Sequence, residues 1–326
     1  MPEPEILCVG ELLWDSLPAG LFLGGAPFNV AAHLRAAGLP VALVSRVGAD
    51  RLGEEALRRV ERCGVATDLV QVDPARPTGF VHAHVDAAGQ ATFEIVAPAA
   101  WDAIAADAGL LARARAARAV VFGPLAQRDA VSRRTIERLC DAAHAAGALL
   151  VCNLALRPPH DTPALVRGAL ERADVVKLTE AELTRLAGWF ALPGGRPAAP
   201  APARRRVRTA ESAADPVPTV RTAAALAESF RCHTVCVTRG AAGAGLWRDG
   251  RWTEHPGYEV EVRDLVGAGD AFLAVLLVGL LRGADDATLL QHAALAGAYV
   301  ATQSGAVPAE QPTVAPPPPP APPLPG

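Results

Sequence analysis

The stretch RAVVFGPLAQRDAVSRRTIERLCDAAHAAGALLVCN, residues 118–153, holds one complete structural repeat. RAVVFG (118–123) is a short apolar run with the look of a strand. AVSRRTIERLCDAAHAAG (130–147) is a helix closed by glycine, and ALLVCN (148–153) is the next strand. A strand, a helix and a second strand in this order predict a right-handed crossover between parallel neighbours.

The same rhythm runs outward in both directions. EILCVG (5–10), VALVSRVG (41–48), DVVKL (174–178) and HTVCVT (233–238) read as strands. Between them lie FNVAAHLRAAG, DRLGEEALRRVERCG and TEAELTRLAG, the last with Thr179 and Glu182 in a capping-box pattern. The expected fold is α/β, with a mainly parallel central sheet covered by helices on both faces. Ligands of such sheets bind at the carboxyl ends of the strands.

Two stretches break the rhythm. Residues near 12–24 and 78–97 look extended, the second as a hairpin around DAAGQ, and together predict a small additional sheet. Residues 191–219, rich in Pro, Ala and Arg, are expected to be a disordered insertion, and the tail from Pro312 to Gly326 an extended appendage.

Composition narrows the function. Of 326 residues about half are apolar, and 31 basic against 34 acidic residues leave a net charge of −3. No basic stripe points to nucleic acid and no polybasic cluster to a membrane surface. The apolar run Ala271–Leu281 is short of the roughly 20 residues that span a bilayer. The N-terminus lacks the basic and apolar regions of a secretory signal, and the six cysteines read as buried thiols of a reducing cytoplasm.

Chemistry concentrates in DLVGAGDAF, residues 264–272. Gly267 and Gly269 allow close backbone approach at the mouth of an apolar core helix. Unpaired N–H groups and the positive dipole end make this turn an anion cradle. Asp270 then reads either as a first-turn acid favoured by the dipole or as a general base beside the held anion. A second motif, GGAPFN, joins Gly24 and Gly25 to Asn29 at a helix start. Asn29 suits either an N-cap or a polyhydroxylated ligand, and Asp15, just beyond the first strand, suits two hydroxyls or a turn.

Together, GG-x-x-x-N and D-x-x-G-A-G-D, in this order and about 240 residues apart, resemble the ribokinase-like, or PfkB, family of sugar kinases, on its fructokinase side. The resemblance implies a kinase domain over 1–311, with residues 12–24 and 78–97 as a β-sheet lid. It implies Asp270 as the base and the N–H groups of Gly267, Ala268 and Gly269 as the anion hole. Asp15, Gly24, Gly25 and Asn29 would hold the sugar, and Thr238, Gly240 and Gly243 with Gly269 would line the ATP site. Glu182 would reach Mg2+ through water. Asp264, with carbonyls of Val266, Val300, Gln303 and Gly305, would frame a monovalent cation, K+. Family members often dimerise through their lids. The alternatives are a nucleoside or sugar-acid kinase of the same family, or a catalytically weak sugar or nucleotide sensor. No G-x-x-x-x-G-K-[ST] and no G-x-G-x-x-G after the first strand is present, which sets aside Walker-type kinases and dinucleotide-binding dehydrogenases.

Three positions depart from the family pattern. Thr179 stands where an asparagine is usual, which weakens magnesium or phosphate binding or merely caps a helix. NLALR (153–157) has Asn153 for a carboxylate and Ala155 for an amide. Leu265 replaces a threonine expected to be buried. Lys177, the only lysine, reads as a residue that meets a phosphate or, the favoured reading, as one that reaches solvent from a strand end. His33 and His292 read as partly exposed helix residues, Trp101 as core before sugar platform, and Arg157 as an ion-pair or substrate residue.

Overall fold

A computed structural model describes residues 5–17, 20–85, 91–193 and 216–308. The chain opens with β1 (Ile6–Val9), β2 (Leu13–Leu17), β3 (Gly20–Gly24), α1 (Ala26–Ala36), β4 (Val41–Gly48), α2 (Arg51–Arg62) and β5 (Val70–Asp73). It continues through β6 (Gly79–Val85), β7 (Ala91–Ile95), α3 (Ala108–Ala116), β8 (Ala119–Phe122), α4 (Ala130–His144), β9 (Leu149–Asn153) and α5 (Pro163–Leu170). Next come β10 (Val175–Thr179), α6 (Glu180–Phe190), α7 (Pro216–Phe230), β11 (Thr234–Thr238), β12 (Ala244–Arg248) and β13 (Arg251–His255). The last two elements are α8 (Ala268–Arg282) and α9 (Asp286–Ala301).

The main sheet has the order β13-β12-β11-β10-β9-β8-β1-β4-β5. Every pair from β5 to β11 is parallel, and β12 and β13 add an antiparallel edge. The repeat over 118–153 forms as expected: β8 and β9 pair in parallel, Ala119 beside Leu149, with α4 as the crossover. Two apolar layers flank the sheet. Leu7, Val120, Leu150 and Val176 pack with α4, α5 and α7 on one face, and Cys8, Val121, Val151 and Cys236 with α1, α8 and α9 on the other. Neighbouring strand residues alternate between the two layers, as the pleat requires.

The small sheet has the order β3-β2-β6-β7, with β2–β6 parallel and the other pairs antiparallel. It covers the expected 12–24 and 78–97 segments, with residues 86–90 of the hairpin outside the described part. Both ends of the segment expected to be a disordered insertion, 191–219, are ordered parts of the fold. Leu192 is buried, and α7 begins at Pro216, where Thr219 donates to the Glu180 carboxylate at 2.9 Å. The remainder of that segment and the tail from Pro312 lie outside the described residues.

The chain leaves β1 toward β4 on one side and later enters β8 on the other, so the sheet order reverses at β1. A crevice opens beyond the strand ends at such a reversal. A narrow cavity lies there, lined by Glu11, Pro27, Gly123, Asn153 and Ala155 among others. Among the described residues, no helix is long and apolar enough to cross a membrane.

Candidate active site

The glycine turn is built as the sequence predicts. Gly267 is the N-cap of α8 at φ 79°, and no side chain caps the helix. A Cβ on Gly267 would lie 2.5 Å from Cα and Cβ of Ala306, so this residue has neither the conformation nor the space for a side chain. The N–H of Ala268 leans on the Leu265 carbonyl at 3.3 Å, and that of Asp270 on the Gly267 carbonyl at 3.0 Å. The N–H groups of Gly267 and Gly269 have no acceptor among the described residues. Of the three proposed anion-hole donors, two are thus open and Ala268 is partly engaged.

Asp270 is held from two directions. Asn29 on α1 donates Nδ2 to one carboxylate oxygen at 2.9 Å, and Asn153 at the end of β9 donates to the other at 2.8 Å. An ionised carboxylate only accepts, so each amide must turn its nitrogen inward. The Oδ1 atoms of Asn29 and Asn153 are consequently left buried without a partner. These two orphaned acceptors suit hydroxyl donors. Asn29 is no N-cap: Gly25 occupies that position, at φ 110°, with a Cβ excluded by the Glu11 carbonyl at 2.3 Å.

Asp15 lies on β2, opposite Phe22. A Cβ on Gly24 would fall 2.2 Å from Asp15 Oδ2, so the first glycine of the pair makes room for that carboxylate. Burial pushes the Asp15 carboxyl up to about 6, with Arg157 pulling the other way. Glu11 was not singled out by the sequence reading. It is only 5% exposed, accepts from the Ala26 N–H at 3.2 Å, and is pushed up to about 7 by burial. Arg157 opposes that shift and Asp270 adds to it. The exposed Arg157 therefore acts on both carboxylates across the crevice. A clue existed in the sequence: Glu11 is a charged residue directly following a strand buried along its length.

Along the rim of carboxyl strand ends, Thr179 and Thr238 stand side by side in register. Beyond Thr238 the chain makes a tight turn, with Gly240 at φ 58° and Gly243 at φ 81°. Gly243 lies against the strand β13 exit, where a Cβ would meet the His255 carbonyl at 2.0 Å. Thr179 caps α6: its hydroxyl accepts from the Glu182 N–H at 3.2 Å. Glu182 Oε2 takes the Thr179 N–H at 2.7 Å and its hydroxyl at 3.0 Å, and Oε1 takes the Leu156 N–H at 2.7 Å. Glu182 is thus a staple between α6 and the loop after β9. A lone pair on Oε1 remains for a water on magnesium, so the residue fits that indirect role.

Asp264 also works as a staple. Oδ1 accepts from the Val266 N–H and Oδ2 from the Gly305 N–H, both at 3.0 Å. These bonds bring Val266 and Gly305 together, with Val300 and Gln303 joined by a 2.9 Å backbone bond at the end of α9. No group of three or more metal-binding side chains occurs among the described residues, so a cation here would rest on carbonyl oxygens and Asp264. Leu265 is 69% exposed, contrary to the buried position expected for it, because the loop turns this side chain outward.

His33 and Lys177 differ from expectation, whereas Trp101 follows it. His33 is buried and bonded to the Ala306 carbonyl at 2.9 Å, because α1 packs against α8 and the segment beyond α9. Trp101 is fully buried under the Arg128 guanidinium, 4.0 Å from its ring, and is core. Lys177 does not extend into open solvent: the residue is 5% exposed, on a strand flanked by β9 and β11, with its ammonium against the Gly269 turn. The six cysteines are free, five of them buried.

The crevice at the sheet reversal thus brings together a glycine-opened helix end with two unengaged N–H groups and the Asp270 carboxylate. The chain belongs to the pfkB family of carbohydrate kinases, whose family model matches residues 19–313. It is 28% identical over 319 residues to a fructokinase of Klebsiella pneumoniae, covering 93% of this chain and 95% of that protein. It is 29% identical over 330 residues to the bifunctional protein HldE of Rhodopseudomonas palustris (strain BisA53), where it uses 92% of its own length and spans 60% of the relative's. The crystal structure of a fructokinase from Xylella fastidiosa with bound ATP superposes with a TM-score of 0.73 at 26% identity, covering 93% of this chain and 94% of that one. The protein is accordingly of the carbohydrate kinase class.

Proposed function

We propose that the protein transfers the γ-phosphoryl group of ATP to a hydroxyl of a fructose-like monosaccharide, with Asp270 as general base. The observation that carries this is the double amide grip on Asp270 beside the open N–H groups of Gly267 and Gly269. Asp270 takes the proton of the attacking hydroxyl. That oxygen forms the new bond to phosphorus, the bond from phosphorus to the β-phosphate oxygen breaks, and ADP leaves. The free N–H groups face charge on the transferred group, where fixed donors act most strongly. Asn29 and Asn153 aim Asp270, and their free Oδ1 atoms accept from other sugar hydroxyls. Asp15 accepts further hydroxyls beside Gly24.

Positioning and charge neutralisation dominate phosphoryl transfer. Magnesium, when bound with the nucleotide, supplies charge neutralisation on the phosphates, and Glu182 would hold one of its waters. Asp264 with the carbonyls of Val266, Val300, Gln303 and Gly305 would hold K+. Fructose is favoured by the fructokinase relatives, and the buried free thiols favour a reducing cytoplasm.

The experiment is ADP release from ATP and magnesium over monosaccharides, sugar acids and nucleosides, with products identified by mass spectrometry. A fructose phosphate formed at the highest kcat/KM supports the proposal. Faster phosphorylation of a nucleoside or sugar acid would reassign the substrate. Binding without any sugar-dependent ADP release would overturn the catalytic reading.

A further inference from the structure

The one lysine of the sequence stands inside the site, and neither the Asp270 chemistry nor the glycine turn accounts for it. Lys177 lies on β10, in register with Asn153 on β9 and Cys236 on β11. In a parallel sheet residues in register share a face. Lys177 therefore points the way Asn153 does, toward Asp270. A Cβ on Gly269 would come within 2.7 Å of Lys177 Nζ, so the ammonium lies directly against the glycine turn.

Burial of an ammonium group is costly unless an anion compensates it. Lys177 is 95% buried as a residue, its ammonium is not among the fully enclosed side-chain atoms, and no hydrogen bond or ion pair engages it among the described residues. The Asp270 carboxylate, next along the chain from Gly269, takes its hydrogen bonds from the two amides and none from Lys177. Cys236 is not a thiolate counter-charge, because burial pushes its thiol up to about 12 despite the lysine. An ammonium in contact with no carboxylate among the described residues, beside two open N–H groups, has its donors free for an anion at the turn.

Building on the kinase reading above, we propose that the Lys177 ammonium contacts the phosphoryl group in transfer at the Gly267–Gly269 turn, as a catalytic residue of the reaction. Its contribution is electrostatic. It pairs with phosphoryl oxygens as the bond to the β-phosphate breaks, and takes no proton. Gly269 is then glycine for two reasons: it presents an N–H to the anion, and it leaves room for the ammonium.

Because the chain holds a single lysine, wild-type protein grown on lysine labelled with 13C at Cε gives one ε-methylene resonance. We expect ADP with magnesium to move this resonance little, and β,γ-methylene ATP with magnesium to move it strongly. Equal positions with the two nucleotides would overturn the contact. In turnover, Lys177→Met is expected to lower kcat about 10²–10³-fold, the size seen on loss of one transition-state donor, with the KM for sugar within about threefold. Lys177→Arg, which keeps the charge, is expected to recover part of the rate. A Lys177→Met enzyme with kcat within about threefold of wild type would overturn the proposal. If Lys177→Met does not fold, the Lys177→Arg rate and the wild-type resonance decide. If wild type phosphorylates no sugar, the sugar-kinase reading fails by itself, and the nucleotide-dependent resonance still tests Lys177.

Discussion

Helices α6 and α8 both begin at the carboxyl rim of the sheet, and both carry an acid in the first turn. Their N-termini do opposite things. On α6, Thr179 and Glu182 close a capping box, and Glu182 also fixes the Leu156 N–H. The N–H groups of Thr179 and Glu182 and the Thr179 hydroxyl are thereby satisfied within the protein. On α8, glycine replaces the capping side chain, Asp270 is drawn aside by Asn29 and Asn153, and two N–H groups stay open. The first helix end holds a loop, and the second is the one we propose holds an anion. An acidic first turn alone does not separate the two cases. The cap residue and the partner of the acid do.

The largest expected effect breaks the open end chemically. Asp270→Asn keeps the size of the side chain and loses its basicity, so kcat should fall about 10²–10⁴-fold. Sugar affinity, read by calorimetry, should stay within a few-fold. Near wild-type turnover would remove Asp270 from the role of base.

Filling the turn comes next. Gly267→Ala forces a side chain onto φ 79° and into Ala306. We expect a loss of about 2–4 kcal/mol in urea unfolding, from combined strain and overpacking. Unchanged stability would show that the segment at 306 yields easily.

A third helix end lies between these extremes. Gly25 caps α1 without a side chain, and Glu11 reaches the Ala26 N–H from β1's exit. The Glu11 carboxyl is raised from 4.5 to about 7 by burial, so the folded state binds its proton more tightly than the unfolded state. Its contribution to stability is therefore fully present below about 4.5 and is lost as pH rises toward 7. Glu11→Gln should remove this slope and raise the Tm at pH 7.5 relative to pH 5 by a few degrees against wild type. Parallel Tm curves for the two proteins would contradict the burial assigned to Glu11.

The closed end should respond least. Thr179→Ala loses a cap and should cost about 1 kcal/mol. Thr179→Asn keeps a cap, and its initial rate against free magnesium should superimpose on that of wild type. A lower magnesium requirement in Thr179→Asn would make residue 179 part of the metal's water shell. In the adjoining loop, Ala155 adopts φ 37°, a region that favours glycine. Ala155→Gly relieves that strain but frees the unfolded chain, so the net gain should be at most about 1 kcal/mol, measured by urea unfolding.

The parallel sheet was legible because a strand–helix–strand repeat such as 118–153 writes its periodicity locally. The α8 turn was legible for the same reason: two glycines, an acid and an apolar run are adjacent in the chain. Local pattern misjudged Leu265, whose exposure depends on how the loop folds back, and His33, whose partner at Ala306 lies 273 positions away. It also extended the insertion through residue 219, since Pro and Ala composition hid the start of α7.

What the sequence by itself determined is the α/β architecture, the carboxyl rim as the place for a ligand, and the candidate residues of both glycine motifs. Tertiary structure alone decided how those residues are used. Asn29 and Asn153 meet Asp270 across 241 and 117 positions, Glu11 is buried under α1, and Lys177 turns inward against Gly269. The physical reason is that helix and strand periods are local properties of the chain, whereas the partner and burial of a charge are set by elements that converge only when the sheet closes.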